Sequence, residues 1–314
     1  MSENTNIRHI ISAADFSQSD LRDLFTLINS IKEAPHHFSS TLSNRVIATF
    51  FCEPSTRTRL SFESAIARLG GACISVADGA TSSNAKGETL EDMIRTVGGY
   101  ADAIVLRHPE DDSAERAACV ASIPIICAGA GARHHPTQAL LDLYTIVEAR
   151  DRLSDLLIVV AGDLMHGRTA RSLIELLAQY EGNRFTFVAP PQCTLHPDSK
   201  AVLDAHKMAY REVPTLEDAL VDADVLYMTR LQKERFADKT AYERARGTYS
   251  LSSTNVDQLP QDAIIMHPLP RNEEIDSAID ADPRARYFTQ AHNGLFVRMA
   301  LLATLFETEA NTMS

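Results

Sequence analysis

Short apolar runs rich in β-branched residues alternate with helical patterns along nearly the whole chain, and this alternation limits the fold more than any other feature. Runs at 46–51, 72–76, 103–106 and 123–126 read as one series of strands, and runs at 157–161, 185–189, 225–228 and 263–266 as a second. Strands of continuous apolar character are buried on both faces, and parallel strands need a crossover helix between them. The pattern predicts an α/β protein with two doubly wound parallel-sheet domains. A chain of 314 residues has the length for two such domains. Their boundary is expected in or near a long helix that begins about Pro136 and carries Leu140, Leu141, Leu143, Tyr144 and Val147. A final helical pattern with Leu295, Phe296, Met299, Ala300, Leu302, Leu305 and Phe306 follows the second series and is compatible with docking on either domain.

Composition removes several classes of function. The five cysteines never form a C-x-x-C pair and are odd in number, which argues against a disulfide framework and for a reducing compartment. No run approaches the ~18 apolar residues of a membrane span, and residues 1–8 are polar without an apolar leader core. A soluble, cytoplasmic protein without membrane contact is expected. With a net charge of −12, a broad nucleic-acid-binding face is not expected either. The arginines that matter must then be local.

The first strand leads directly into Glu53-Pro54-Ser55-Thr56-Arg57-Thr58-Arg59, and a helix follows with Phe62, Ala65, Ile66 and Leu69 on one face, ended by Gly70-Gly71. A helix N-terminus offers unpaired N–H groups and the positive end of the dipole; here hydroxyls and guanidiniums are added. The plain alternative is a surface helix start with solvated arginines. Its position on the loop after a buried strand favours a phosphate cradle, because ligands collect at strand ends in α/β sheets.

Other polar clusters recur at strand ends. Arg107-His108-Pro109 follows the third run, and the fourth leads through Gly129, Gly131 and His134 to His135-Pro136-Thr137-Gln138, with Pro136 suited to the first helical position, His135 to its cap and Gln138 one turn inward. A lone histidine at a cap is usually structural; an imidazole and a guanidinium converging on one carbonyl oxygen would instead form an electrophilic clamp. Gly162-Asp163-Leu164-Met165-His166-Gly167-Arg168-Thr169 nearly matches a nucleotide phosphate loop but has Arg where Lys is required. The strand at 225–228 ends in Thr229-Arg230 rather than a magnesium-holding Asp, so the nucleotide reading is set aside. Arg168, Arg230 and Gln232 suit carboxylates, with inter-domain ion pairing as the alternative. Ser82 to Glu88 forms a polar loop that includes Lys86, and the prolines of His267-Pro268-Leu269-Pro270-Arg271 fix a path whose carbonyls can accept from a substrate N–H. No metal-binding spacing is present, and neither a metal nor a cofactor is expected.

Taken in order, Ser55-Thr56-Arg57-Thr58-Arg59, Lys86-Gly87-Glu88-Thr89, Arg107-His108-Pro109, His135-Pro136-Thr137-Gln138, Gly167-Arg168-Thr169, the segment Arg230 to Arg235 and His267 to Arg271 resemble the catalytic chains of the aspartate branch of the aspartate/ornithine carbamoyltransferases. The resemblance covers nearly the whole chain. It implies transfer of the carbamoyl group of carbamoyl phosphate to L-aspartate, a step of pyrimidine biosynthesis. It further implies that Ser55, Thr56, Arg57, Thr58 and Arg107 bind the phosphate, with Ser82 and Lys86 entering from a neighbouring subunit of a homotrimer. Thr58, Arg107 and His135 would polarise the carbonyl oxygen, with Lys86 reaching both ligands. Gln138 and the carbonyl of Pro268 would hold the carbamoyl amine. Arg168 would take the α-carboxylate of aspartate, and Arg230 with Gln232 its side-chain carboxylate, near Leu269. Glu53 would pair with Arg168 and Arg235 to hold the domains closed. The implied domains are 1–136 plus 291–314 for carbamoyl phosphate and 137–290 for aspartate, with the last helix returning to the first; additional regulatory chains are left open.

One departure is visible. Cys127-Ala128-Gly129-Ala130-Gly131 stands where the family commonly has Asn-Ala-Gly-Asp-Gly, which bears on the placement of the loop and the surroundings of His135. A carbamoyltransferase for another acceptor would need other groups at Arg168, Arg230 and Gln232. A non-catalytic paralogue would be expected to have lost part of 55–59, and none is missing.

Overall fold

The computed structural model describes residues 8–76, 87–231, 240, 242–243 and 249–312, so Ser82, Lys86, Gln232 and Arg235 lie outside the described residues. The chain divides into two units, Met1–Thr137 with Gly294–Ser314 and Gln138–Asn293.

Unit 1 holds a four-stranded parallel sheet of β1 (Val46–Phe51), β2 (Ala72–Val76), β3 (Ala103–His108) and β4 (Ile125–Ala130), in the order β2-β1-β3-β4. Helices α1 (Gln18–Glu33), α2 (Thr56–Arg68), α3 (Leu90–Val97) and α4 (Ser113–Val120) cover it. Ser17 and Asp20 cap α1 reciprocally, and its Leu21, Leu24, Phe25, Ile28 and Ile31 are buried. One core gathers Ala48, Phe50, Ile104, Leu106 and Ile125 of the strands with Leu90, Met93 and Ile94 of α3 and Ala117 of α4. Phe62, Ala65 and Ile66 of α2 are buried as well, as their helical spacing requires.

Unit 2 holds β5 (Leu157–Ala161), β6 (Arg184–Val188), β7 (Ala209–Val213), β8 (Val225–Met228) and β9 (Ile264–Met266), all parallel, in the order β7-β6-β5-β8-β9. Its helices include α5 (Pro136–Arg150), which begins in unit 1, and α6 (Arg168–Leu177), α7 (Pro197–Ala205) and α8 (Glu217–Leu220). The last helix, α9 (Tyr287–Thr312), leaves unit 2 at Asn293, and from Gly294 onward it belongs to unit 1. There the Arg298 guanidinium lies 5.1 Å from the ring centre of Phe62, and that of Arg45 lies 4.9 Å from Phe306. The helix has returned to the first domain.

Two details correct the sequence expectations. β7, with the sequence AYREV, was not among the eight expected strands: it is an edge strand with exposed Arg211 and Glu212, and the apolar run that marks a buried strand is absent. β3 runs further than its apolar run, through Arg107-His108, and β4 covers Ile125–Ala130 rather than 123–126. Backbone pairing in β3 outlasts hydrophobicity, and the β3–β4 register shifts between Leu106 and His108. Irregularities of this kind re-aim side chains at sheet ends.

Candidate active site

In an open doubly wound sheet the ligand crevice lies past the strand ends where the order reverses. In unit 1 that point is between β1 and β3. Arg107 stands directly across from Phe51, and Cys52 N–H donates to the Arg107 carbonyl at 2.8 Å. Two residues past β1 begin Glu53 and the cradle. Ser55 is the N-cap of α2 but makes no side-chain capping bond, so its hydroxyl is not committed to the helix. Thr58 is buried in the first turn, while Thr56 and Arg57 are exposed. The Arg107 side chain is only 12% exposed; its Nη1 donates to the Ala128 carbonyl at 3.3 Å and its Nε lies 3.4 Å from Oε2 of Glu53. Within its own unit Glu53 lies against Arg107. A guanidinium flanked by a carboxylate and a carbonyl is oriented before any ligand arrives.

The loop that carries His134 and His135 is fixed from the β3 side. Gly131 N–H donates to the His108 carbonyl at 3.0 Å, and Ala132 N–H donates to Oδ1 of Asp111 at 2.6 Å. Gly131 has a φ of +45°, and a Cβ there would stand 1.9 Å from that same oxygen, so only glycine fits. His134 lies 3.4 Å from Glu115, and His135 is 5% exposed. Burial lowers the pKa of His108, in keeping with a ring whose Nδ1 accepts from Glu110 N–H at 3.2 Å. Cys127 and Ala130, the two departures from the family pattern, are both buried in one small apolar cluster with Ala114 and Ile11. Their side chains fill space against α4, and Asp111 and His108 hold the loop in place.

In unit 2 the order reverses between β5 and β8. Arg168 opens α6 after the loop from β5, behind a glycine N-cap that has no side chain to offer the helix. Arg230 lies two residues beyond β8, and both arginines are partly exposed. Gly162, at φ +123°, lets the two strand ends approach: a Cβ there would meet the Thr229 carbonyl oxygen at 2.2 Å. Asp163 is buried and accepts from His166 N–H at 3.0 Å, which shapes the turn that leads to Arg168.

Past β9, beside β8 in the sheet, comes His267-Pro268-Leu269. His267 Nδ1 accepts from Leu269 N–H at 2.8 Å, and its Nε2 lies 2.8 Å from Oε1 of Glu274. Burial would raise the Glu274 carboxyl, but the hydrogen bond from His267, with those from the N–H groups of Glu274 and Asn272, holds it below the usual range. Gln138, on the first turn of α5, donates to Oδ1 of Asp142 at 2.8 Å.

The structure thus collects Glu53, Ser55, Thr56, Arg57, Thr58 and Arg107 at one switch point and Arg168 and Arg230 at another. Sequence reasoning missed Asp111 and Asp142, and met Gly162 only as the start of a near phosphate-loop motif. Asp142 left a signal as a carboxylate one turn beyond Gln138 amid Leu140, Leu141 and Leu143. Among the described residues no group of three or more His, Cys, Asp or Glu could hold a metal ion, and no helix is long and apolar enough to cross a membrane.

Comparison with known proteins agrees with this geometry. Residues 8–148 match the carbamoyl-P binding domain of aspartate/ornithine carbamoyltransferase, and residues 154–305 match its Asp/Orn binding domain. The chain belongs to the aspartate/ornithine carbamoyltransferase family. Within that family, it is 44% identical over 302 residues to an aspartate carbamoyltransferase catalytic subunit of Clostridium novyi, covering 96% of this chain and 99% of the relative. The catalytic subunit of M. jannaschii aspartate transcarbamoylase superposes with a TM-score of 0.90 at 43% identity, covering 96% of this chain and 98% of the other. Aspartate transcarbamoylase from Trypanosoma cruzi, solved with N-(phosphonacetyl)-L-aspartic acid, gives a TM-score of 0.88 at 37% identity over 95% of each chain.

Proposed function

We infer that this enzyme transfers the carbamoyl group of carbamoyl phosphate to the amine of L-aspartate, giving N-carbamoyl-L-aspartate and phosphate, a step of pyrimidine biosynthesis. The observation that carries the reading is the pair of switch points: an anion cradle with a pre-oriented arginine at one, and two arginines suited to carboxylates at the other. The amine attacks the carbonyl carbon, a C–N bond forms, and the bond to the phosphate oxygen breaks while the nitrogen gives up a proton. Negative charge grows first on the carbonyl oxygen and then on the departing phosphate, and fixed cationic donors stabilise both. Phosphate leaves readily, so the chemistry needs no covalent enzyme intermediate.

Ser55, Thr56, Arg57, Thr58 and Arg107 take the phosphate, and Thr58, Arg107 and His135 polarise the carbonyl. Gln138 and the Pro268 carbonyl hold the amine. Arg168 takes the α-carboxylate, while Arg230 with Gln232, beside Leu269, takes the side-chain carboxylate. Ser82 and Lys86 are assigned to the site of a neighbouring copy in a homotrimer. An exposed sheet edge supports that association: residues 72–75 of β2 are exposed, with Ile74 at 42%, and Leu60 and Tyr100 of the same unit are also exposed. An uncovered apolar edge is otherwise a liability. Five free thiols are in keeping with a cytoplasmic location.

Offering acceptors in turn with carbamoyl phosphate tests the assignment. Aspartate is expected to be carbamoylated, whereas ornithine, whose side chain ends in an ammonium that Arg230 repels, is not. Turnover with ornithine and none with aspartate would refute it.

A further inference from the structure

Asp142 is fully buried, at 0% exposure, although aspartate is rarely buried without partners. Three neutral donors converge on its carboxylate. Oδ1 accepts from Gln138 Nε2 at 2.8 Å and from Gln290 Nε2 at 2.6 Å, and Oδ2 accepts from Tyr227 O–H at 2.7 Å. All four residues belong to unit 2. Oδ1 accepts from both amides, so each glutamine turns its NH2 end toward Asp142 and its carbonyl oxygen away. For Gln290 the consequence is visible: its Oε1 accepts from His267 N–H at 2.9 Å. His267 in turn accepts from Leu269 N–H through Nδ1, which brackets Pro268 between two anchored residues. Burial and the neighbouring Asp142 carboxylate raise the pKa of Tyr227 well above its ordinary value, so its hydroxyl stays a donor.

We propose that Asp142 is a positioning residue for recognition of the carbamoyl amine: it fixes Gln138 with an oxygen toward the substrate and, through Gln290, sets the backbone that presents the Pro268 carbonyl. The proposal rests on the reading that these two oxygens hold the amine. Asp142 itself touches no substrate. Its effect is selective, because an amine-reading pair distinguishes carbamoyl phosphate from acetyl phosphate, which carries a methyl group in place of the amine and has no N–H to donate.

The readout is the ratio of affinities for carbamoyl phosphate over acetyl phosphate, measured on the whole enzyme. Gln138→Ala should lower the ratio about tenfold, the usual consequence of losing one buried hydrogen-bond partner. Asp142→Ala should lower it to a similar degree with acetyl phosphate affinity unchanged, and Asp142→Asn, which keeps a carbonyl oxygen where Oδ1 stands, should restore it. Should Asp142→Ala fail to fold, Gln290→Met, which leaves Gln138 on Asp142 but removes both the bond to Oδ1 and the acceptor of His267 N–H, should still lower the ratio. If Gln138→Ala leaves the ratio unchanged, the amine reading fails and the proposal with it. If Gln138→Ala lowers the ratio while Asp142→Ala, or Gln290→Met in its place, does not, the amine reading stands and the positioning role is overturned. An Asp142→Asn enzyme as unselective as Asp142→Ala would also overturn it.

Discussion

Arg107→Ala is expected to lower kcat by about a hundredfold to a thousandfold, the loss typical of one oxyanion donor in a pre-organised site. Arg107 is oriented by Glu53 and the Ala128 carbonyl, so its donors need no rearrangement when charge develops. The surrounding β1–β3 pairing is made by the backbone and survives the substitution, so thermal stability should change little. Steady-state kinetics at saturating aspartate, with a melting curve as the control, check this. A kcat within about threefold of the parent would remove Arg107 from the chemistry.

Gly162→Ala is expected to be the most damaging single-methyl change in unit 2. The new Cβ would stand 2.2 Å from the Thr229 carbonyl oxygen and 2.4 Å from its Oγ1, at a φ of +123° that side-chain-bearing residues rarely adopt. Backbone strain and overpacking together cost about 2–5 kcal/mol. Because Thr229 N–H donates to the Ala161 carbonyl at 2.7 Å, relief must come from separating the ends of β5 and β8, which carry Arg168 and Arg230. A lowered Tm should therefore accompany a raised KM for aspartate, with carbamoyl phosphate binding less affected. A variant with parental Tm and parental aspartate KM would contradict the role given to this close approach.

Most strands were legible because their runs are largely apolar: β1, β5 and β8, which are buried, and β2, an exposed edge strand, begin and end where the runs at 46–51, 157–161, 225–228 and 72–76 do. β7 was not legible, since an edge strand needs no apolar run and Arg211 and Glu212 face water. The cradle was readable because its chemistry is local, with hydroxyls and guanidiniums adjacent in sequence and a helix directly behind them. Asp111 was not: it secures Ala132 across 21 positions, and nothing in the short acidic stretch around it distinguishes a loop anchor from a solvated carboxylate. The contact between Asp142 and Gln290 spans 148 positions and exists only once the sheet has brought α5 and the start of α9 together. The departure at Cys127 and Ala130 has a packing account: both residues are buried in an apolar cluster, and the loop is tied down by other groups.

The central claim is that the cradle at the end of β1 takes the phosphate while the arginines past β5 and β8 take the aspartate carboxylates. A crystal structure of this enzyme with N-(phosphonacetyl)-L-aspartic acid, which joins both halves in one molecule, tests it most directly. The account predicts the phosphonate on Ser55, Thr56, Arg57, Thr58 and Arg107, with Ser82 and Lys86 reaching it from a neighbouring copy, and the carboxylates on Arg168 and Arg230. A phosphonate bound away from Ser55–Thr58, or carboxylates held by groups other than Arg168 and Arg230, would contradict it.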